Sequence, residues 1–443
     1  MKNVLSGKYA VSWLMVVITL LFPVMAAAAD GSAMPAVAGI RLEFILFAAT
    51  LLGVALFHNY TMWVSICGLA AILCSKLLFL PDFSFAEHIL GGSGHEGEWR
   101  VLLNLLGLLF GFAILAKHFE ESDLPKILPK YLPDDWKGGF VLLIMIFVIS
   151  AFLDNIAAAM IGGAIAYVVF QKRVHIGYLA AIVAASNAGG SGSVVGDTTT
   201  TLMWIDGVDP LNVLHAYVAA GSALIIFGVV ASLQQDKYQR IVKDSQAGVT
   251  VAWGKLGVVA LILVSAIITN YAFDFPALGV WVALLAGAFF VKTPWSELKN
   301  ATAGTIFLMG LVTSASLMPV DELPPASWVT TFFLGFVSAV FDNIPLTKLC
   351  LEQGGYDWGV LAYAVGFGGS MLWFGSSAGV ALSNMYPEAR SAVNWLRHGW
   401  HVAASYVIGF FLMLALAGWA PHAPHKASHQ NVVQQQQTAS PDA

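Results

Sequence analysis

The sequence predicts an all-α polytopic membrane protein with a duplicated core, and three observations lead to this fold class. Hydrophobic residues make up 58% of the 443 residues, charged residues make up 11%, and the mean hydropathy is +0.76. A soluble domain has roughly 25% charged residues. Apolar stretches repeatedly approach the ~20 residues that a helix needs to cross a bilayer. Finally, a short polar motif occurs twice within apolar sequence.

Composition also limits the partners. The formal net charge of -5 is spread thinly, without the basic block that predicts binding to nucleic acid. We therefore expect membrane lipid and small inorganic ions as partners, and no nucleic acid.

The first 29 residues have the pattern of a bacterial secretory signal peptide. Lys2 and Lys8 precede an apolar stretch over residues 10–25, and small residues at 26–29 form a cleavage-site pattern before Asp30. The alternative is an uncleaved first transmembrane helix. Cleavage would place the mature N-terminus outside the cell.

Apolar stretches after residue 30 predict the membrane elements. The clear candidates are 43–57, 61–80, 99–116, 138–152, 211–233, 252–273, 276–292, 301–318, 327–341, 360–381 and 398–419. The apolar stretches 155–170, 176–190 and 343–353 adjoin polar or glycine-rich breaks, which indicates interrupted helices or re-entrant hairpins. We therefore expect about 11–13 transmembrane or re-entrant helical elements.

Lysine and arginine placement predicts the orientation. The segment 81–98 carries acids and no Lys or Arg and is expected outside, whereas 117–137 and 234–255 are lysine-rich and are expected in the cytoplasm. Together with the signal pattern, this predicts a multi-pass protein of the bacterial inner membrane.

The duplicated motif reads SAFLDNI over residues 150–156 and SAVFDNI over residues 338–344. Each copy places an Asp and an Asn within apolar sequence. A charged side chain near the bilayer centre costs about 3 kcal/mol even on lenient scales, so such an Asp usually faces a polar cavity or an ion. Its repetition predicts a duplicated transport core.

A glycine-rich break follows each copy of the motif. Residues 189–197 read GGSGSVVGD, and residues 368–376 read GGSMLWFGS. Such glycines often serve only close helix packing. These breaks also carry many oxygen donors, the ligands that hard cations prefer, and corresponding breaks in two halves mark the binding sites of repeat transporters. The oxygen donors are Asn187, Ser191, Ser193, Asp197, Thr198, Thr199, Thr200, Thr201, Ser370, Ser376 and Ser377.

These features divide the chain. We expect a signal peptide over 1–29, N-terminal transmembrane helices over 30–98, a first transport repeat over 99–250 and a second over 251–420. The polar segment 421–443 is expected to be a disordered tail.

At these motifs the chain resembles the NhaD-type sodium/proton antiporters of the ion transporter superfamily, which also includes arsenite permeases and citrate or dicarboxylate carriers. The resembling segments lie at 186–200, 341–346 and 368–380, and the resemblance covers roughly residues 100–415. The chain departs from the family pattern at Ala157, where Pro is common, and over 192–194.

The resemblance implies two inverted repeats, each with a re-entrant hairpin and an interrupted helix, and a homodimer. It also implies a set of ion-binding residues, with sodium bound at Asp154, Asp197 and Asp342. The implied set is Asp154, Asn155, Asn187, Asp197, Thr199, Thr200, Asp342, Asn343, Ser370 and Ser376.

Exchange of sodium, or lithium, for protons is the leading hypothesis. Under this hypothesis the transported ions are the only small ligands that we expect, and we expect no cofactor. The alternative is a cation-coupled carrier of citrate or another organic anion or oxyanion. Three acids near the breaks, without an Arg to clamp an anion, favour cation exchange. Phosphate-binding Walker loops, Gly-x-Ser-x-Gly elbows and His-Glu-x-x-His motifs are missing from the sequence, so we do not expect an enzyme.

Lys348 is an isolated base near the second Asp-Asn pair. It lies six residues after Asp342 and four before Glu352. The spacing favours a modest ion pair with Glu352 on one helix face. The alternative is a counter-charge, or a proton-linked amine, for Asp342.

Overall fold

A computed structural model describes residues 34–422 of the chain, apart from residues 38, 58–59, 93–94 and 243–249. The expected signal peptide and residues 423–443 of the expected tail lie outside the described residues, and so does Lys243 of the second lysine-rich segment.

The described part is helical, with two short β-hairpins, β1 with β2 and β3 with β4. The elements in chain order are β1 (Ala36–Val37), β2 (Ile40–Arg41), α1 (Leu42–Leu56), α2 (Thr61–Phe79), α3 (Phe85–Leu90), β3 (Gly91–Gly92), β4 (His95–Glu96), α4 (Trp99–Glu120), α5 (Leu124–Ile127), α6 (Trp136–Ser150), α7 (Asn155–Val169), α8 (Ile176–Gly190), α9 (Thr198–Ile205), α10 (Ala216–Tyr238), α11 (Trp253–Phe273), α12 (Pro276–Gly287), α13 (Glu297–Ser316), α14 (Trp328–Ser338), α15 (Asn343–Gln353), α16 (Trp358–Gly368), α17 (Ser377–Met385) and α18 (Ala392–Ala417).

This architecture confirms the all-α polytopic membrane fold. Among the described residues, five helices are long and apolar enough to cross a membrane on length and composition, namely α2, α4, α10, α11 and α18. Several others are apolar but shorter, among them α6, α7 and α8. Short paired helices are what interrupted spans produce, because each half covers only part of the bilayer.

The stretch 360–381, which the sequence predicts as one span, is divided. It begins inside α16, passes through a 3₁₀ turn at Gly369–Met371 and an irregular segment, and continues in α17. Gly369 and Gly375 approach so closely that a side chain at either would meet the backbone of the other. The glycine-rich break therefore interrupts the helix despite its apolar composition.

The two repeats fold alike around matched contacts. The Ser150 hydroxyl at the end of α6 donates to the carbonyl of Ser186 at 2.5 Å, and the Ser338 hydroxyl at the end of α14 donates to the carbonyl of Val365 at 2.6 Å. The first pair joins α6 to α8 and the second joins α14 to α16. The duplicated motif and break therefore produce the same helix–break–helix arrangement twice.

The helices that precede each motif also pack in a matched way. Gly111 of α4 lies against Val280 of α12, and Gly310 of α13 lies against Ser65 of α2. In both cases a side chain on the glycine would be 3.0 Å or less from its neighbour. Close packing of small residues is typical of helices within membranes, and here it holds the core helices against α2 and α12.

Candidate functional site

Asp154 and Asp342 occupy the same local position, immediately before a helix. The Oδ2 atom of Asp154 accepts a hydrogen bond from the N–H of Ile156 at 3.2 Å, which caps α7. The Oδ1 atom of Asp342 accepts one from the N–H of Ile344 at 3.1 Å, which caps α15. Asp is a preferred N-cap because its carboxylate satisfies an otherwise unpaired helix N–H. The Asp-Asn motif therefore starts a half-helix in each repeat.

A hydroxyl from the glycine-rich break reaches each of these carboxylates. Thr198 Oγ1, at the start of α9, lies 3.2 Å from Asp154 Oδ1. Ser377 Oγ, at the start of α17, lies 3.3 Å from Asp342 Oδ2. The motif and the break of one repeat therefore meet at the N-termini of two half-helices, where the positive ends of the helix dipoles favour an anionic group.

The two carboxylates face different cavities. Asp154 and Thr198 line a cavity of about 1300 Å³, whereas Asp342 and Ser377 line one of about 280 Å³. Ile156 lines both, so the cavities share a wall. The first repeat therefore has the wider approach to its carboxylate.

Asp197 lies deeper, with only 1% of its surface exposed. Its Oδ1 atom accepts three hydrogen bonds, from Asn155 Nδ2 at 3.2 Å, from the N–H of Thr199 at 3.1 Å and from Thr199 Oγ1 at 3.2 Å. Its Oδ2 atom is buried and has no hydrogen-bond partner among the described residues. Because buried polar atoms are nearly always paired, such an atom requires an explanation.

Asn187 joins the breaks of the two repeats. Its Oδ1 atom accepts a hydrogen bond from Asn155 Nδ2 at 3.0 Å. Its Nδ2 atom donates to Ser370 Oγ at 2.9 Å and to Ser376 Oγ at 3.2 Å. One buried amide near the end of α8 therefore links the Asp-Asn motif of the first repeat to the break of the second.

Six of the ten predicted site residues thus form one hydrogen-bonded group, called here the central cluster. Its members are Asn155, Asn187, Asp197, Thr199, Ser370 and Ser376.

The other four predicted residues lie outside the central cluster. Asp154 and Asp342 lie at the two cavities. The Thr200 hydroxyl contacts only backbone carbonyls near the cluster, those of Ser193 at 2.5 Å, Asp197 at 3.0 Å and Gly190 at 3.4 Å, so it closes the loop of the break and does not join the side-chain network. Asn343 is 3% exposed, and its Nδ2 atom has no hydrogen-bond partner in the described part of the chain. Thr198 and Ser377, which contact the two acids, were predicted among the oxygen donors of the breaks but not in the ion-binding set that the resemblance implies.

No model of a known protein family matches the chain. Sodium/proton antiporter 1 of Arabidopsis thaliana is 27% identical over 293 residues, which cover 56% of this chain and 50% of that protein. The NhaD Na⁺/H⁺ antiporters of Vibrio cholerae and Alkalimonas amylolytica are each 26% identical, over 61% and 64% of this chain. The chain is therefore similar to the NhaD-type sodium/proton antiporters. It spans about half the length of the Arabidopsis protein and 68% of each NhaD protein.

The central cluster presents one carboxylate, two amides and several hydroxyls in a buried site. Oxygen atoms of these types are the ligands of hard cations. Lys and Arg side chains do not hydrogen-bond to the central cluster among the described residues. The cluster is therefore suited to a small cation or a proton, which would neutralise Asp197.

A second buried charged group, the Lys348 cluster, was only partly predicted. Lys348 is fully buried, and its Nζ atom lies 2.6 Å from Glu352, 2.9 Å from Glu98 and 3.1 Å from Asp206. The expected pair with Glu352 is confirmed. The pair is not isolated on one helix face as expected, because the group is buried and includes two acids that are distant in sequence. Asp342 is not among the carboxylates within 4.0 Å of Lys348 in the described residues.

Proposed function

We propose that the protein exchanges sodium, or lithium, for protons across the bacterial inner membrane. The observation that carries the proposal is the carboxylate of Asp197, which is buried between the two repeats and has one oxygen without a hydrogen-bond partner among the described residues. The names of the curated relatives, sodium/proton antiporter and NhaD, support the same activity.

The exchange follows from competition for this carboxylate. An isolated ionised carboxylate is very costly to bury, so it is neutralised by a bound proton or by a cation. A proton and a sodium ion cannot both take the same oxygen. Loading sodium at Asp197 therefore displaces the proton, and proton binding displaces sodium.

Asp154 and Asp342 have a supporting role in this proposal. Each lies at a cavity and next to a hydroxyl of the break that carries the central cluster. A carboxylate that lines a cavity raises the local cation concentration and supplies an intermediate ligand. The larger cavity also carries Lys117 and Lys126, and each of these is paired with an acid, at 2.9 Å and 2.6 Å respectively.

Proton release from acidified everted vesicles tests the proposal. Sodium, lithium and citrate are added separately, and a fluorescent probe follows the proton gradient. We expect sodium or lithium to collapse the gradient and citrate to have no effect. Asp197→Asn removes the charge that the cation neutralises and should abolish the response, whereas Asp274→Asn, at the exposed end of α11, is the matched control. A response to citrate alone would favour the organic-anion carrier.

A further inference from the structure

The central cluster is asymmetric at one position. The first break is preceded by Asn187-Ala188, and the second is preceded by Gly366-Phe367 at the matching place before Gly-Gly-Ser. Asn187 reaches across to Ser370 and Ser376 of the other repeat. Gly366 has no side chain with which to make the reciprocal contact.

The space that this missing side chain leaves faces Asp197. A Cβ atom built on Gly366 would lie 3.1 Å from Asp197 Oδ2 and 4.0 Å from Ser191 Cβ, and, apart from its chain neighbours and the backbone of its own helix, no other described heavy atom lies within 4 Å of it. Ser191 and Asp197 are the residues that match Ser370 and Ser376. Positions 187 and 366 therefore face equivalent residues of the opposite repeat. Only position 187 has a side chain that contacts them.

Two buried polar atoms of the candidate site have no hydrogen-bond partner among the described residues. Asp197 Oδ2 faces position 366, whereas Oδ1 already accepts three hydrogen bonds. Asn343 Nδ2 is the counterpart of Asn155 Nδ2, which donates to Asn187, the residue that matches Gly366. The missing side chain at position 366 accounts for the first orphaned atom directly. By repeat symmetry it also removes the counterpart of one of the two acceptors that Asn155 Nδ2 has in the first repeat, Asn187 and Asp197.

We propose that Gly366 is a specificity-determining residue, which keeps the Oδ2 side of Asp197 open for the transported cation. This inference rests on the proposed sodium exchange at Asp197. A methyl group 3.1 Å from Oδ2 is closer than ordinary van der Waals contact and occupies the direction in which that oxygen has no partner. A side chain at this position would therefore compete with the cation for the same space.

The test is Gly366→Ala in purified, reconstituted protein. We expect the half-saturating sodium concentration to rise about 10-fold or more, with a smaller rise for the smaller lithium ion. Sodium should also raise the unfolding temperature of the wild-type protein, because a ligand that binds the folded state stabilises it, and this shift should be lost in the variant. Gly221→Ala is the control, because a Cβ on this half-buried glycine of α10 meets nothing within 4 Å.

Misfolding is not the expected effect, since Ala is a better helix former than Gly. The unfolding temperature without sodium checks this point. An unchanged sodium half-saturation and an unchanged sodium-dependent shift would overturn the inference while the proposed function stands. An equal loss for sodium and lithium would also overturn it, because general damage does not discriminate ion size. A wild-type protein without any sodium-evoked proton release would overturn the proposed function, and this inference with it.

Discussion

Replacement of Lys348 by Met is the sharpest test of the energetics of this fold. Lys348 joins three segments, because Glu98 lies at the start of α4, Asp206 follows α9, and Glu352 lies near the end of α15. Met has a similar length but no charge. The substitution therefore removes the one ammonium and leaves three carboxylates facing each other in a buried site.

Burial decides the magnitude. An exposed ion pair contributes about 0–1 kcal/mol, whereas breaking a buried pair by removing one partner costs about 3–5 kcal/mol. Lys348 has 0% exposure, and its partners are between 4% and 13% exposed. We therefore expect a loss of about 3–5 kcal/mol, which lowers the folding equilibrium constant by roughly 10²–10⁴.

Unfolding in mild detergent micelles, titrated with a denaturing detergent, measures this loss. Lys255→Met is the matched control, because Lys255 pairs with Glu121 at 2.5 Å but the side chains are 23% and 35% exposed. The control should lose about 0–1 kcal/mol. Lys348→Met combined with Glu98→Gln, Asp206→Asn and Glu352→Gln should regain much of the stability, since the buried charges are then removed together.

Two results would refute this reasoning. Equal stability losses for Lys348→Met and Lys255→Met would mean that burial does not govern the Lys348 cluster. A variant that unfolds like the wild-type protein but no longer exchanges ions would instead assign Lys348 a role in proton transfer.

Three further predictions concern the carboxylates and the amide of the site. Asp154→Asn should abolish sodium-evoked proton release while the protein still inserts and folds, because a neutral amide is less costly to bury than a carboxylate; near-normal exchange would contradict a role for this acid. Asp197→Ser removes the same carboxylate as Asp197→Asn, so exchange should be lost, or any residual exchange should show a half-saturating sodium concentration at least ~10-fold higher, a loss of about 1.4 kcal/mol. Ser is also a good N-cap, and Ser376 already caps α17 in this way, so an unchanged half-saturation value would exclude Asp197 from the ion path. Asn187→Ala should lower the free energy of unfolding by about 1–3 kcal/mol, since it leaves buried hydroxyls unpaired, and should reduce exchange; a stability equal to that of the wild-type protein in the same detergent titration would show that the link between the repeats is not energetically important.

Much of the local structure was predictable from short motifs. Asp154 and Asp342 each cap a helix through an N–H two residues later, a contact that depends only on neighbours in sequence. The glycine-rich breaks were likewise predictable, because their glycines permit close backbone approach. The membrane class followed from composition and from apolar stretches. The prediction of a single span over 360–381 was wrong, because hydropathy alone does not distinguish an apolar break from an apolar helix.

The sequence by itself therefore determined the membrane class, the duplication and the chemical types of the site residues, because these depend on composition and on contacts within a few residues. Only the tertiary structure decided how the residues combine. It placed Asp197 rather than Asp154 or Asp342 in the central cluster, brought Glu98 and Asp206 to Lys348 across 250 and 142 residues, and showed that Gly366 faces a carboxylate oxygen. Such contacts depend on how distant helices pack. The absence of a side chain at Gly366 can be interpreted only when the atoms around that position are known.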